Sequence, residues 1–211
     1  MLREMNLYEL KNEFNLQIKG IIQVGSFIAK EYPILKSTGA NDFIFLEANP
    51  NVINKLSQNV DPECLIFNEL VGDVDEEEYT FQIANHTQSS SMLKFDKHKQ
   101  YHPEFSTIVE TVNLKSIKLD TLIQREDIQI NKYNCLMLDV QGAELLVLKG
   151  FEKYLHYMDY IHTELNYDTM YKGCCLEPQL TKHLQERNFK LVKSFDTGLG
   201  WGDGLYIRNN G

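Results

Sequence analysis

Two short runs hold the ionisable side chains best placed for chemistry. The first is Asp139-Val140-Gln141-Gly142-Ala143-Glu144, directly after the apolar run Cys135-Leu136-Met137-Leu138. That run has the pattern of a strand buried on both faces. Gln141-Gly142 then turns the chain into a helix with a mixed apolar and polar surface, which ends at Gly150, read as a C-terminal cap. In an open α/β sheet ligands bind just outside the carboxyl ends of the strands, so Asp139 stands where chemistry is done. The structural alternative is that it only caps the next helix. A helix N-terminus favours a charged carboxylate, so Asp139 is expected to stay ionised and ready to accept a proton.

The second run is His162-Thr163-Glu164-Leu165-Asn166. Alternation along a strand puts His162, Glu164 and Asn166 on one face and Ile161, Thr163 and Leu165 on the other. Buried ionisable groups cost several kcal/mol unless paired, so this row is either a satisfied structural network or a site.

The elements that must position these residues alternate along the chain. Ile21–Val24, Phe43–Leu46, Cys64–Phe67, the Asp139 strand and Tyr160–Leu165 read as strands. Helices are expected from Gly25-Ser26 to about Ser37, over Asn51–Asn59, Thr121–Ile128 and Pro178–Asn188. Tyr79–Ala84 and Thr111–Leu114 read as an antiparallel pair, as do Phe189–Ser194 and Leu205–Arg208. The expected fold is therefore α/β, a mostly parallel sheet with helices on both faces and a terminal antiparallel strand pair. Residues 1–19 read as an N-terminal cover helix or oligomer arm, with Leu7, Leu10, Phe14 and Ile18 at helical spacing. The whole chain, 1–211, reads as a single domain.

The Asp139–Gly150 segment resembles the signature of the FkbM-type S-adenosylmethionine-dependent methyltransferases, in which an Asp and an apolar residue precede Glu-Gly, any residue, Glu and a Val-Leu-Lys-Gly-like ending. Gln141 stands where the family usually has Glu. The resemblance runs from about Ile21 to Arg208, through a Val24-Gly25 loop, Glu47 followed by Pro50, a Val71-Gly72-Asp73 turn, the Ser89-Ser90-Ser91 loop, Tyr171-Lys172-Gly173-Cys174 and Gly200-Trp201-Gly202-Asp203. Ala29 replaces a second Gly in the first loop, and Leu199 replaces a His.

The resemblance implies a Rossmann-like methyltransferase fold and a cofactor, S-adenosylmethionine. Gly25 would let the backbone approach it closely. Ser26 and the loop amides would meet its carboxylate end. Glu47 lies 22 positions after Gly25, near the roughly 20-residue spacing of an acid that binds ribose hydroxyls. Asn49, Asn68 and Val71 would flank the adenosyl group, Ser90 would reach the cofactor's methionine end or the acceptor, and Asp139 and Gln141 would lie at the transferred methyl. Asp139 is the candidate general base, with Glu164 and His162 competing for that role. Gln141 cannot take a proton and would act by hydrogen bonding alone. The implied activity is O-methylation of a small acceptor, a glycan sugar preferred. Two alternatives are a dinucleotide-dependent oxidoreductase, against which the missing Gly-x-Gly-x-x-Gly speaks, and a non-catalytic binding module on the same fold.

Bulk properties narrow the partners. The formal charge of −9 argues against nucleic acid, whose phosphates need a basic surface. No apolar run is long enough for a membrane span, and no signal peptide is read at the N-terminus. Cys64, Cys135, Cys174 and Cys175 lack metal-finger spacing and read as reduced thiols of a cytoplasmic protein. No pair of histidines has ligand spacing, so no metal is expected; the stretch Lys97–Pro103 reads as a surface or acceptor-side lid. A homo-oligomer is compatible with an N-terminal arm.

Overall fold

The computed structural model describes residues 5–209. Its strands are β1 (Gly20–Val24), β2 (Asp42–Leu46), β3 (Leu65–Phe67), β4 (Leu70–Val71), β5 (Glu78–Ala84), β6 (Ile108–Ile117), β7 (Cys135–Leu138), β8 (Tyr160–Asn166), β9 (Phe189–Asp196) and β10 (Trp201–Arg208). Its helices are α1 (Leu7–Phe14), α2 (Tyr32–Ser37), α3 (Ile53–Asn59), α4 (His98–Tyr101), α5 (Leu119–Arg125), α6 (Glu144–Lys149) and α7 (Glu177–Gln185).

Seven strands form one sheet in the order β3-β2-β1-β7-β8-β10-β9. Its first five members run parallel, and β10 pairs antiparallel with both β8 and β9. This is the expected Rossmann-like arrangement. The order reverses between β1 and β7, so a crevice opens beyond their carboxyl ends. A small second sheet, β4-β6-β5, flanks that crevice.

Alternation along the central strands makes two cores. Ile22, Val24, Leu136, Leu138, Ile161 and Leu165 pack with α5, α6 and α7. Ile21, Phe43, Phe45, Cys135 and Met137 pack with α1, α2 and α3 on the opposite face. Both faces of β1 and β7 are thus covered, which is why their sequences read as nearly unbroken apolar runs.

Several expected boundaries move. The cover helix is only Leu7–Phe14; Asn6 caps its start and Asn15, at φ 51°, ends it. Beyond it Leu16 and Ile18 alternate with exposed neighbours on the approach to β1, and residues 1–4 of the expected helix lie outside the described residues. No helix begins at Ser26: Phe27 and Ala29 both take φ 47°, and α2 starts at Tyr32 with Pro33 in its first turn, where a missing N–H is tolerated. Strand β6 is longer than expected, and β4 was not foreseen at all.

Gly150 and Gly25 are among the glycines that close approaches require. Gly150 caps the C-terminus of α6 as expected, at φ −79° and so outside the left-handed region. A Cβ there would lie 2.0 Å from the carbonyl oxygen of Gly72, where the end of α6 meets the strap after β4. Gly25, at φ +80°, packs under the Asp139 carbonyl, 1.8 Å from where a Cβ would sit.

Gly150→Ala should therefore destabilise the fold by about 1–3 kcal/mol, as overpacking against backbone does. Gly39→Ala meets nothing within 4 Å despite φ +84° and should cost only about 1–2 kcal/mol of left-handed strain. Urea unfolding of both variants checks the ranking; a neutral Gly150→Ala would contradict the close approach.

Candidate active site

The register of the sheet brings the two sequence runs together. Val24 pairs with Leu138, Leu138 with Thr163, and Glu164 with Asp203. One residue further on, Gly25, Asp139, Glu164 and Asp203 follow one another across the carboxyl end of the sheet. One row behind them stand Gln23, Met137, His162 and Leu205. All eight project to the same side, because positions two apart on a strand share a face.

Gln141 ties this row together. Its backbone takes φ 55°, which swings the side chain back over the strand ends. Its amide Nε2 donates to Asp139 Oδ1 at 2.6 Å and to Glu164 Oε2 at 2.8 Å. Its Oε1 accepts from the Tyr171 hydroxyl at 2.6 Å. The backbone carbonyl of Gln141 accepts from Ser91 Oγ at 2.8 Å. Every hydrogen-bonding group of the side chain is engaged, and one amide separates two acids that would otherwise repel.

Glu144 holds the same turn from below. It is 1% exposed, so it is not on the solvent side of α6. Its Oε1 accepts from the backbone amides of Val140 and Gly142, and its Oε2 from Asn166 Nδ2. The carboxylate therefore satisfies the turn that the sheet edge cannot.

The electrostatics follow from this crowding. Asp139 opens onto a cavity whose walls desolvate it, and the carboxylates of Glu144, Asp203 and Glu31 add repulsion against the Gln141 hydrogen bond; its pKa is pushed up to about 8. This reverses the expectation of a carboxylate kept ionised by a helix N-terminus, since α6 begins five residues later, at Glu144. Burial likewise raises Glu144 to about 7 against its backbone hydrogen bonds. Glu164 is raised by burial and then by Asp139, Glu144 and Asp203. Burial lowers His162, with Asp203 and Glu31 opposing; its Nε2 has no hydrogen-bond partner.

Two hollows meet at Asp139 and Gln141. A slot of about 60 Å3 runs towards β2 and β4 between Ala48, Val71, Phe81, Met92 and Ala143, with Glu47 at its edge. A larger cavity of about 940 Å3 opens towards β8 and β10 and is lined by His162, Glu164, Asp203 and Trp201. Gly25, Phe27, Asp139 and Gln141 border both.

The site residues expected from the sequence divide accordingly. Gly25, Glu47, Val71, Ser90, Asp139 and Gln141 line the slot. His162 and Glu164 line the cavity, beside Ser26, whose hydroxyl is turned to the Leu46 carbonyl. Asn49 and Asn68 line neither hollow. Asn49 caps the turn at Asn51, and Asn68 Nδ2 donates to the carbonyls of Glu47 and Ala48. The Glu47 carboxylate accepts from the amides of Phe27 and Asn49, at 2.7 Å each, which fixes it against the first loop. Burial raises its pKa against those bonds.

The structure adds Glu144, Tyr171, Asp203 and Gln23 to the set. Each sits in or beside a segment already singled out, but only long-range packing reveals its contacts. The histidine stretch divides: Lys99, Gln100 and Pro103 are exposed, whereas His98 is buried, stacked on Phe95, and with His102 lines the cavity. Among the described residues no group of His, Cys, Asp and Glu has metal-site geometry, and no helix is long and apolar enough to cross a membrane.

The methyltransferase FkbM domain family matches residues 23–191, and the chain belongs to that family. No curated protein matches the sequence. Among solved structures, a protein of the NADB-Rossmann superfamily from Streptococcus agalactiae superposes with TM-score 0.54 at 12% identity, covering 99% of this chain and 70% of that one. Magnesium protoporphyrin IX methyltransferase of Synechocystis PCC 6803, solved with bound SAM, gives 0.51 at 9% identity over 95% and 75%. The ribosomal protein L11 methylase of Lactobacillus delbrueckii subsp. bulgaricus gives 0.51 at 9% over 97% and 77%. At these identities the likeness is one of fold.

The raised carboxyls make stability fall with pH. The folded chain holds protons on Asp139 and Glu144 up to about pH 8 and 7, whereas the unfolded chain releases them near pH 4. Unfolding therefore releases protons in between, and stability declines as pH rises. Buried His98, lowered to about 4, has the opposite slope below its unfolded value of about 6.5. The clean window is thus about pH 6.5–8. The unfolding midpoint should drop across it, mainly through buried Glu144; Asp139 is exposed at the cavity and screened there, so Asp139→Asn should flatten the drop only in part. A midpoint that rises there would contradict the site's charge crowding.

Proposed function

We propose that this FkbM-family chain, read as one methyltransferase domain, is an S-adenosylmethionine-dependent O-methyltransferase. Its acceptor would be a small hydroxyl compound, a glycan sugar preferred. The observation that carries the reading is the placement of Asp139 and Gln141 where the apolar slot meets the acid-lined cavity. One hollow suits the cofactor and the other the acceptor, so the transfer point falls between them.

The residues of the slot fit the cofactor in kind. Flat apolar walls from Ala48, Val71, Val140 and Ala143 suit a purine, and the Glu47 carboxylate keeps lone pairs for ribose hydroxyls beside the two amides it already accepts. At about 60 Å3 the slot is narrow, and Phe27 and Gln88 at its mouth are the side chains whose rotation would widen it. The carboxylates around Asp139 favour a cation at the transfer point. S-adenosylmethionine, when bound, supplies a methyl group on a positively charged sulfur.

Asp139 would serve as the base. A neutral sugar hydroxyl is a weak nucleophile and needs one. The Asp139 pKa, raised to about 8, would be drawn down by a cation at the transfer point, which would leave the carboxylate ionised and able to accept a proton. Gln141 holds Asp139 Oδ1 and leaves Oδ2 for the acceptor. Glu164 would orient a second hydroxyl, and Trp201 offers a flat face to a sugar ring. His162, with its free Nε2, is the competing base.

Asp139→Asn should lower turnover by about 10²–10⁴-fold while the dissociation constant for S-adenosylhomocysteine stays within a few-fold. Glu164→Gln should cost less. Glu47→Ala should instead weaken cofactor binding, by about 1.5–3 kcal/mol. Turnover should survive EDTA. Normal turnover by Asp139→Asn beside a dead His162→Ala would move the base to β8. Binding of NAD in place of S-adenosylhomocysteine would overturn the methyltransferase reading and favour an oxidoreductase.

A further inference from the structure

The larger cavity has more acidic groups and more acceptor atoms than a neutral sugar can use. Among the described residues four acids line it, Glu31, Asp139, Glu164 and Asp203, the last accepting from the Met5 amide through Oδ2, against one ammonium, Lys30, which lies over the Phe27 ring at 5.3 Å. Glu164 and Asp203 stand directly opposite each other on β8 and β10, an arrangement that destabilises a sheet when both are charged.

A separate observation points the same way. Gln23, 3% exposed and on the same wall, gives its Nε2 to Glu31, and its Oε1 accepts nothing. Two strands across in the same row, the His162 Nε2 is also unpartnered; burial lowers that imidazole's pKa, and with the proton on Nδ1 its Nε2 is an acceptor too. Orphaned buried polar atoms are rare in folded chains and ask for a partner. The partner that suits them is a donor. The rings of Phe27, Phe105, Trp201, His98 and His102 line the same cavity. Carboxylates and aromatic rings around one cavity are the chemistry that recognises an ammonium.

We infer that the acceptor is a hydroxyl compound that also carries an ammonium group, an amino sugar being the simplest form, and that Glu164 and Asp203 recognise it. The inference rests on the methyltransferase reading above. The cofactor brings two positive groups and one carboxylate, so its net single charge leaves the floor of the cavity acidic. A neutral sugar supplies hydrogen-bond donors and no charge. An ammonium supplies three donors and the missing charge in one group. Lys30 is exposed on the first loop, over the Phe27 ring.

The test is calorimetry on the whole chain, first with S-adenosylhomocysteine, then, on the loaded protein, with glucosamine, N-acetylglucosamine and glucose as probes. Glucosamine should bind on the order of tenfold more tightly than either neutral sugar, the scale of one charged hydrogen bond. Asp203→Asn, its fold checked by thermal unfolding, should remove that preference without weakening glucose. Loaded protein that shows no preference for glucosamine, or binds none of the three, overturns the inference alone. If S-adenosylhomocysteine itself fails to bind, the methyltransferase reading falls and the inference with it.

Discussion

A primary amide has two N–H donors and one acceptor oxygen, and Gln141 uses all three at the mouth of the sheet. Two acids, Asp139 and Glu164, are held by its donors, and Tyr171 is held by its oxygen. A Glu at this position would be acceptor-only when ionised and would add a fourth acid to the row. The amide therefore lets carboxylates from β7 and β8 stand side by side in a desolvated place, where unpaired charge is expensive. The acids stay crowded enough to raise one another's pKa, yet each has a fixed orientation.

The rest of the fold can be followed outward from that amide. Gln141 reaches back only because its backbone is left-handed, and that conformation is held by Ser91 on its carbonyl and by Glu144 on the amides either side. Gly25 must lack a side chain because the Asp139 carbonyl occupies the space beside it. The first loop is pinned to β2 through Glu47, which accepts from Phe27. A change at one strand end is thus felt at its neighbours through backbone contacts, with no loop long enough to absorb it. The acid row lies at the point where strand order reverses, so the two hollows approach it from opposite sides.

How much of this was legible in the sequence depends on range. The alternation of strands and helices, the acid after β7, the spacing of Gly25 and Glu47, and the shared face of His162 and Glu164 all follow from local patterns. So does the departure at Gln141, though its three hydrogen bonds do not. The burial of Glu144 is not legible, because a six-residue helix is too short for its period to show which face is inward. Gly150 is the C-terminal cap its position suggests, but the reason it must be Gly comes from Gly72, far away in sequence. The left-handed Phe27 and Ala29 have no signature, since neither residue favours that region. His98 sits among polar neighbours in sequence and is buried only because Phe95 and Tyr171 fold over it.

The central claim is that a row of crowded, partly protonated acids at the strand ends is built to receive positive charge. The most direct measurement is the proton balance of cofactor binding. Calorimetric titrations at pH 6.5, where the amino groups of both ligands are protonated, would be run in buffers of different ionisation enthalpy. The account predicts that S-adenosylmethionine releases protons from the protein on binding, and more than S-adenosylhomocysteine, whose sulfur is neutral. Equal proton exchange for the two ligands, or uptake with S-adenosylmethionine, would contradict it.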